Sequence, residues 1–492
     1  MKIMRFTKKF LIIAASALLL IPTSCNEDIL YLEPYNSLSY EVVFNGVDDF
    51  ETALMGVYSG LRSGSYYGKN LTIIPDIMTD NAYAKSGFTN SYGYVHQWNI
   101  QPGTSEFENF FYAGYIVITR ASNVINYSNG FTPDPDTEEE RARLRQIRGE
   151  AYLARAMAHF DLLRTFGPRY DASTASSDLG IPIITNSEVG TPARANVEAV
   201  YNQIFSDISN ALERMEETDW EKGYRFTPAA AYALLSRIHL TRGEWEEAAD
   251  YAGDVIEMTQ YSLVETQTAL RNMYINDDGS EIIFQLAIKN TTEFSTAIGT
   301  EYIGTQPGVR INPNYLVTPE LVNLYDPFED KRFLAFIKTN VLLTGTSLRG
   351  ITNEKQVGRS DLARGVNSAK PFMLAEMYLN KAEAHAMNNE FDLAQGAIDA
   401  LLSKRINNHT STDLTGDDLI DFIRLERRKE FAFEGHYWFD LKRWGEGFTR
   451  YGNPLSNFPN DLTIIADDYR WQWPIPQHEM NANKNMKQND GY

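Results

Sequence analysis

Two segments of this 492-residue chain repeat one helix–turn–helix pattern at a spacing of 146 residues. Tyr232, His239, Glu244, Trp245 and Ala248 in the first answer to Tyr378, His385, Glu390, Phe391 and Ala394 in the second. The turns are Arg242-Gly243-Glu244-Trp245 and Asn388-Asn389-Glu390-Phe391. A small residue three places after a bulky aromatic, just past a polar turn, lets two antiparallel helices approach closely, as in tetratricopeptide hairpins. One such match is weak. Two at equivalent positions predict a mostly α, helical-repeat scaffold, with hairpins over residues 228–258 and 371–404. Pairs near 107–166 and 415–444 are expected to supply further units, atypical as terminal repeats are.

The apolar period agrees. Between Val47 and Leu61, Phe50, Leu54, Val57, Tyr58 and Leu61 fall on one stripe. Phe107–Ile125, Leu144–Phe166 and Val197–Met215 repeat the spacing, and Gly167-Pro168 should stop the second of these. Strand-like runs are few: Glu281–Ile288, and a weaker one over Phe333–Leu343. Helical repeats are thus expected over about 47–260 and 366–445. Three stretches, about 62–105, 262–365 and 446–492, are rich in Gly, Asn and aromatics and lack a period. Long irregular segments in a compact body are usually functional loops.

The N-terminus carries another signal. Lys2, Arg5, Lys8 and Lys9 precede a run from Phe10 to Ile21 that is apolar apart from Ser16, and then Pro22-Thr23-Ser24-Cys25. This order is that of a secretory leader. The run is shorter than the roughly 20 residues of a spanning helix, which disfavours a permanent anchor helix. Cys25 is the only cysteine. It is predicted to be a lipid attachment point behind a lipoprotein signal over 1–24, although Pro22 and Thr23 make the acylation box irregular. Asn26-Glu27-Asp28 fits an acidic tether to the outer face of an outer membrane as well as it fits an ordinary linker.

Without residues 1–24 the chain holds 41 basic and 65 acidic residues, a formal charge of −24. Nucleic acid is therefore not an expected ligand, because binding it needs a basic face. Catalytic signatures are missing. Gly64-Ser65-Tyr66-Tyr67-Gly68-Lys69-Asn70 is too short for a phosphate loop and ends on Asn70, where Ser or Thr would hold magnesium. The seven histidines are scattered, and His239 and His385, inside helices, read as packing residues. Asp134, Asp136 and Glu138–Glu140 lack the spacing and glycine of a calcium loop, so a solvated turn before a helix is the better reading. A structural calcium is conceivable but not indicated; no cofactor, metal site or catalytic residue is predicted.

Aromatics on non-periodic segments stand out instead. Tyr83, Phe88, Tyr92, Tyr94 and Trp98 alternate with Asp80, Asn81, Lys85, His96, Asn99 and Gln101. A flat ring packs on the C–H face of a sugar while amides and carboxylates meet its hydroxyls, so the mixture suits glycan capture. Trp98 is the first candidate, with Tyr83, Tyr92 and Tyr94 as alternative platforms and Asp80, Asn81 and Gln101 as hydroxyl partners. Core packing is the competing explanation for each ring.

The run Leu425-Glu426-Arg427-Arg428-Lys429-Glu430-Phe431-Ala432-Phe433-Glu434-Gly435-His436-Tyr437-Trp438-Phe439-Asp440-Leu441-Lys442-Arg443-Trp444 resembles the signature helix of the RagB/SusD family. The ending Trp473-Pro474-Ile475-Pro476, Glu479 and Lys487-Gln488-Asn489-Asp490-Gly491-Tyr492 is similar to that family's close. Gly149-Glu150-Ala151, Asp330-Lys331-Arg332, Glu376-Met377-Tyr378-Leu379 and Ala382-Glu383-Ala384 extend the likeness along the chain. The resemblance implies a SusD-like fold, a single domain over 25–492, and a surface lipoprotein that acts as a lid on a SusC-like TonB-dependent outer-membrane barrel. It implies capture of a nutrient, usually an oligosaccharide and in some members a peptide, without catalysis. A glycosidase or a purely adhesive protein is less expected. The ligand face in such proteins also draws on the irregular region after the middle repeats, which makes Tyr302, Arg310 and Tyr325 weaker candidates. Arg427, Arg428, Glu430, Glu434, Asp440 and Arg443 read as fold residues, and Arg427 and Glu430, three apart on one helix, can pair.

Overall fold

The computed structural model describes residues 44–131, 135–218, 221–293, 297–305 and 307–492; Cys25 and the whole leader lie outside these. The chain divides into two units, 1–49 and 50–492. Of the first, the described residues open a helix, where the Asp49 carboxylate accepts from the backbone N–H groups of Asn45 (2.8 Å) and Gly46 (3.1 Å). The rest of this section concerns the second.

About half of the chain is helical, with 17 helices among the described residues and few strands. The frame consists of α1 (Val47–Leu61), α2 (Asn70–Ile77), α3 (Ser105–Ser128), α4 (Glu138–Phe166), α5 (Val197–Leu212), α6 (Pro228–Arg242), α7 (Trp245–Ile256), α8 (Leu374–Met387), α9 (Phe391–Arg405), α10 (Gly416–Phe431) and α11 (Tyr437–Trp444). From α3 to α9 each packs on the next, α7 bridging to α8 across the long insertion, and α10 returns onto α8. This is a mostly α, tetratricopeptide-like stack.

Local chemistry sets the helix ends. Thr137 and Glu140 form a capping box that opens α4, with Arg141 and Arg145 on Glu138, so the acidic run serves as a helix start. Gly167 ends α4, its N–H returning to the Leu163 carbonyl. Gly243 ends α6 at φ 74°, a conformation open to glycine at no steric cost.

The two predicted hairpins are α6–α7 and α8–α9. Ala248 and Ala394 are fully buried; Ala248 lies in a cluster with Leu240, Ala249 and Ala384, and Ala394 in one with Leu379, Ala382 and Ile398. Ser236 donates to the Ala248 carbonyl (2.9 Å), Asn380 to Ser236 (3.1 Å) and Arg427 to Asn380 (2.7 Å), so one polar chain ties both hairpins to the signature helix. His239 packs between Phe205 and Tyr251, ring centroids 5.1 and 5.4 Å away, as its place inside a helix led one to expect. His239 and His385 are each half-buried, and each locks its own turn through Nδ1 to a carboxylate five residues on, Glu244 and Glu390, both at 2.6 Å. Replacing Ala248 with Trp should overpack the approach to Ala384 and cost about 1–3 kcal/mol or more. An unchanged denaturation midpoint would contradict the close approach.

Among the described residues the insertions carry nine short strands. β1 (Ala82–Ala84) pairs antiparallel with β4 (Tyr315–Val317), and β2 (Ile282–Phe284) with β7 (Phe372–Met373). β3 (Arg310–Ile311), β5 (Ile337–Leu343) and β6 (Arg349–Asn353) form one sheet, and β8 (Phe448–Arg450) pairs with β9 (Leu462–Ile464). The expected strand over Phe333–Leu343 is half helix: Asp330 caps Lys331–Phe336, and the extended run starts only at Ile337.

Arg427, Glu430 and Asp440 of the signature run are buried. Arg332 reaches Asp330 (2.8 Å), Glu426 (2.5 Å) and Glu430 (3.2 Å), while Arg405 holds Glu281 (2.7 Å) and Glu430 (2.9 Å). The Arg427–Glu430 pair does not form. Arg427 turns to Asp440 on α11 (2.9 Å), while Glu430 is taken by Arg332 and Arg405.

Candidate functional site

Between β1 and the β8–β9 hairpin the loops leave a cleft of about 280 Å³, lined by Tyr83, His96, Gln97, Arg450, Tyr451, Ser456, Asn457, Phe458 and Asn460–Leu462 among others. Its far wall is strapped to β1: Ser86 N–H donates to the Leu455 carbonyl (2.7 Å) and Asn457 N–H to the Ala84 carbonyl (3.0 Å). The wall turns sharply at Gly452, where a Cβ would stand 1.9 Å from the Pro459 carbonyl oxygen, so only glycine fits. Gly452 N–H also donates to Asp461 (2.7 Å). The turn presents Tyr451, 58% exposed, and half-buried Phe458.

Beneath lies a rigid polar base. His96 is buried; its Nε2 accepts from Ala84 N–H (3.3 Å), which leaves Nδ1–H to donate to the Ile77 carbonyl (2.7 Å). Burial, with the Arg450 charge beside it, holds the His96 pKa well below its usual range, so the ring is neutral. Arg450 donates to the Ile77 and His96 carbonyls and fixes the start of the turn. The cleft therefore offers two rings, the amides of Gln97, Asn457 and Asn460 and one carboxylate, Asp461. Catalysis by a carboxylate pair needs a second acid across the bond. The lining has none. Nor is any group of three or more His, Cys, Asp or Glu placed to hold a metal ion among the described residues.

Of the ten residues singled out in the sequence, the structure takes six away from solvent. Trp98 is 1% exposed, donates Nε1–H to the Met78 carbonyl (2.6 Å) and meets Trp471 edge-on at 4.9 Å. As folded it is a core residue, not a ligand platform. Tyr83 is buried in β1 with Leu316 and Leu343, reaching the cleft only as part of its wall. Tyr92 is buried and donates to Asn70 (2.7 Å). Tyr302 packs edge-on against Phe433 at 4.9 Å, and Tyr325 donates to the Lys429 carbonyl (2.7 Å), both in the interior. Asn81 is buried between Asp76 (2.8 Å) and Arg428 (2.9 Å).

Asp80 is half-buried and pairs with Arg428 (2.8 Å), so it clamps the segment to the signature helix and does not face a ligand. Tyr94, Gln101 and Arg310 remain exposed. Tyr94, at 62%, stands one helical turn from cleft-lining Gln97, whereas Gln101 and Arg310 are not part of the cleft. The sequence reading missed Tyr451, Phe458 and their amides. Their signal was present, because Tyr451-Gly452-Asn453-Pro454 and Asn457-Phe458-Pro459-Asn460-Asp461 mix rings and polar partners as residues 80–101 do.

Stacked hairpins with their loops gathered into an aromatic and amide cleft define a helical-repeat protein of the tetratricopeptide-like class. Residues 337–492 match the family model of the SusD family, and residues 30–240 one described as starch-binding, associating with outer membrane. The chain belongs to the SusD/RagB family. It is 23% identical to SusD-like protein P2 of Formosa agariphila over 96% of this chain and 98% of that one. A SusD superfamily protein of Bacteroides thetaiotaomicron superposes with a TM-score of 0.78 at 28% identity, covering 90% of this chain and 99% of that one. A putative sugar binding protein of Bacteroides vulgatus does so with 0.77 at 26%, covering 92% and 99%.

Proposed function

We propose that this protein captures an oligosaccharide at the surface of an outer membrane and delivers it, unaltered, to a SusC-like TonB-dependent barrel on which it acts as a lid. The observation that carries this reading is the cleft: exposed Tyr451 and half-buried Phe458 flanked by Gln97, Asn457, Asn460 and Asp461. Rings and amides in this proportion suit a polyhydroxylated chain. The sugar-binding and starch-binding descriptions of its relatives support the ligand class, and the lone carboxylate supports binding without turnover. A peptide is the competing ligand.

Tyr451→Ala should weaken binding of the best oligosaccharide in a calorimetric panel about tenfold, or about 1.4 kcal/mol, with the melting temperature nearly unchanged. Unaltered affinity removes the cleft from the argument. A panel in which only peptides bind replaces the ligand class, and products in the mass spectrum after long incubation would make the protein an enzyme.

Anchoring rests on Cys25. The Cys25→Ala precursor should take up no labelled fatty acid in cells, whereas the wild type should. Equal labelling of both would remove the lipid anchor.

A further inference from the structure

The β3–β5–β6 sheet packs one face on β1–β4 and turns the other outward. Leu343 points inward, in a cluster with Tyr83 and Leu316, and Gly350 lies so close to Leu316 that a Cβ there would be 2.8 Å from it. Side chains alternate along a strand, so Leu342 faces out. It pairs with Arg310 on one side and Arg349 on the other, which sets a row Arg310–Leu342–Arg349 across the outer face. Lys338 pairs with Thr352 further along the same two strands, past an irregularity where Asn340 adopts φ 62°. Above this face opens a groove of about 440 Å³, lined by Arg271, Lys338, Asn340, Leu342, Arg349, Thr352, Glu354 and Arg364 among others.

The groove is cationic on an acidic protein. Its one lining carboxylate, Glu354, is held by Arg271 at 3.1 Å. Arg349 donates to the Asn340 carbonyl (2.9 Å), Arg364 to the Gly304 and Ile303 carbonyls (3.0 Å each), and neighbouring Arg310 to the Leu343 carbonyl (3.3 Å). Carbonyls position a guanidinium without neutralising it, and each of these arginines keeps further N–H donors. Lys338 is exposed. Among the described residues, Lys338, Arg349, Arg364 and Arg310 make no ion pair with a carboxylate. The whole chain meanwhile carries −20. Such an arrangement concentrates positive potential in one place and suits the planar fork of a carboxylate or the several oxygens of a tetrahedral sulfate.

We propose that this groove binds the anionic groups of an acidic oligosaccharide, one bearing uronate carboxylates or sulfate esters. Exposed Asn340 serves hydroxyls beside the charges. The inference rests on the glycan reading above and narrows it from saccharides in general to charged ones.

The test is calorimetry on the full mature protein at low and high salt. The probes are a short oligogalacturonide, its carboxyl-reduced neutral counterpart, a sulfated galactan oligosaccharide and oligoglutamate. The wild type should bind the uronate or the sulfated probe about tenfold more tightly than the neutral one, and salt should erode that preference. The double variant Lys338→Gln, Arg349→Gln alters two exposed side chains and should abolish the preference while keeping the neutral affinity. Equal affinity for acidic and neutral sugars overturns the groove proposal and leaves the glycan reading standing. A preference that persists in the variant, or equally tight oligoglutamate, overturns it too. Failure of every saccharide overturns both.

Discussion

Arg332→Met should cost this protein about 3–5 kcal/mol, a large part of the 5–15 kcal/mol that keeps a typical protein folded. Arg332 is fully buried and closes on three carboxylates, those of Asp330, Glu426 and Glu430. Methionine nearly conserves the volume, so little of the loss is a cavity. It comes from carboxylates left in the interior with fewer cations, since Lys429 still reaches Asp330 (2.9 Å) and Glu426 (2.8 Å) while Glu430 keeps Arg405. A denaturant midpoint equal to wild type would show that the pairs contribute nothing.

The same variant should behave differently in acid. Burial alone would raise the Asp330 pKa, but the Arg332 charge and hydrogen bonds, helped by Lys429, outweigh it and bring the carboxyl to about 2. A carboxylate depressed in the folded state stabilises fully above its ordinary pKa of about 4 and stops doing so as pH falls through the folded value. The gap between wild type and Arg332→Met should therefore be widest at neutral pH and narrow between about pH 4 and pH 2. A gap independent of pH would mean that packing, not charge, explains the loss.

Helices and hairpins were legible because burial on a helix imposes a 3.6-residue period, which Phe50, Leu54, Val57 and Leu61 display, and because Ala248 and Ala394 recur at matching places in two hairpins. Partners were less legible. Arg427 has Glu430 one turn away, yet the interior brings Asp440 and Asn380 closer in the right geometry. The site was least legible of all. A ring on an irregular segment looks alike whether it faces solvent or a distant piece of chain. Tyr83, Tyr92, Tyr302 and Tyr325 are each covered by residues remote in sequence, whereas Tyr94 and Tyr451 are not. The groove was invisible for a related reason: Arg310, a weaker candidate in the sequence, and Arg349 become neighbours only through the register of β5 between them.

Trp98→Ala should unfold the protein early, not weaken a ligand. The indole is wedged between Phe448 and Trp471, 5.9 and 4.9 Å away by ring centroids, and Trp471 in turn meets Trp438 at 5.7 Å. Its N–H satisfies the Met78 carbonyl, which ends the turn after α2, and its own carbonyl accepts from Arg470 (2.9 Å). Trp98 thus joins the first loop region to the C-terminal segment, more than 340 residues away in sequence. Truncating a buried tryptophan to alanine removes the transfer energy of the ring and leaves a cavity, together about 3–5 kcal/mol. Because β8 borders the cleft through Arg450 and leads into Tyr451, some loss of ligand affinity should follow as Phe448 shifts into the space. Trp98→Phe separates the two effects, since it keeps most of the packing and loses the hydrogen bond, and it should recover most of the stability and nearly all of the binding. Full stability of Trp98→Ala combined with lost binding would return Trp98 to the ligand face.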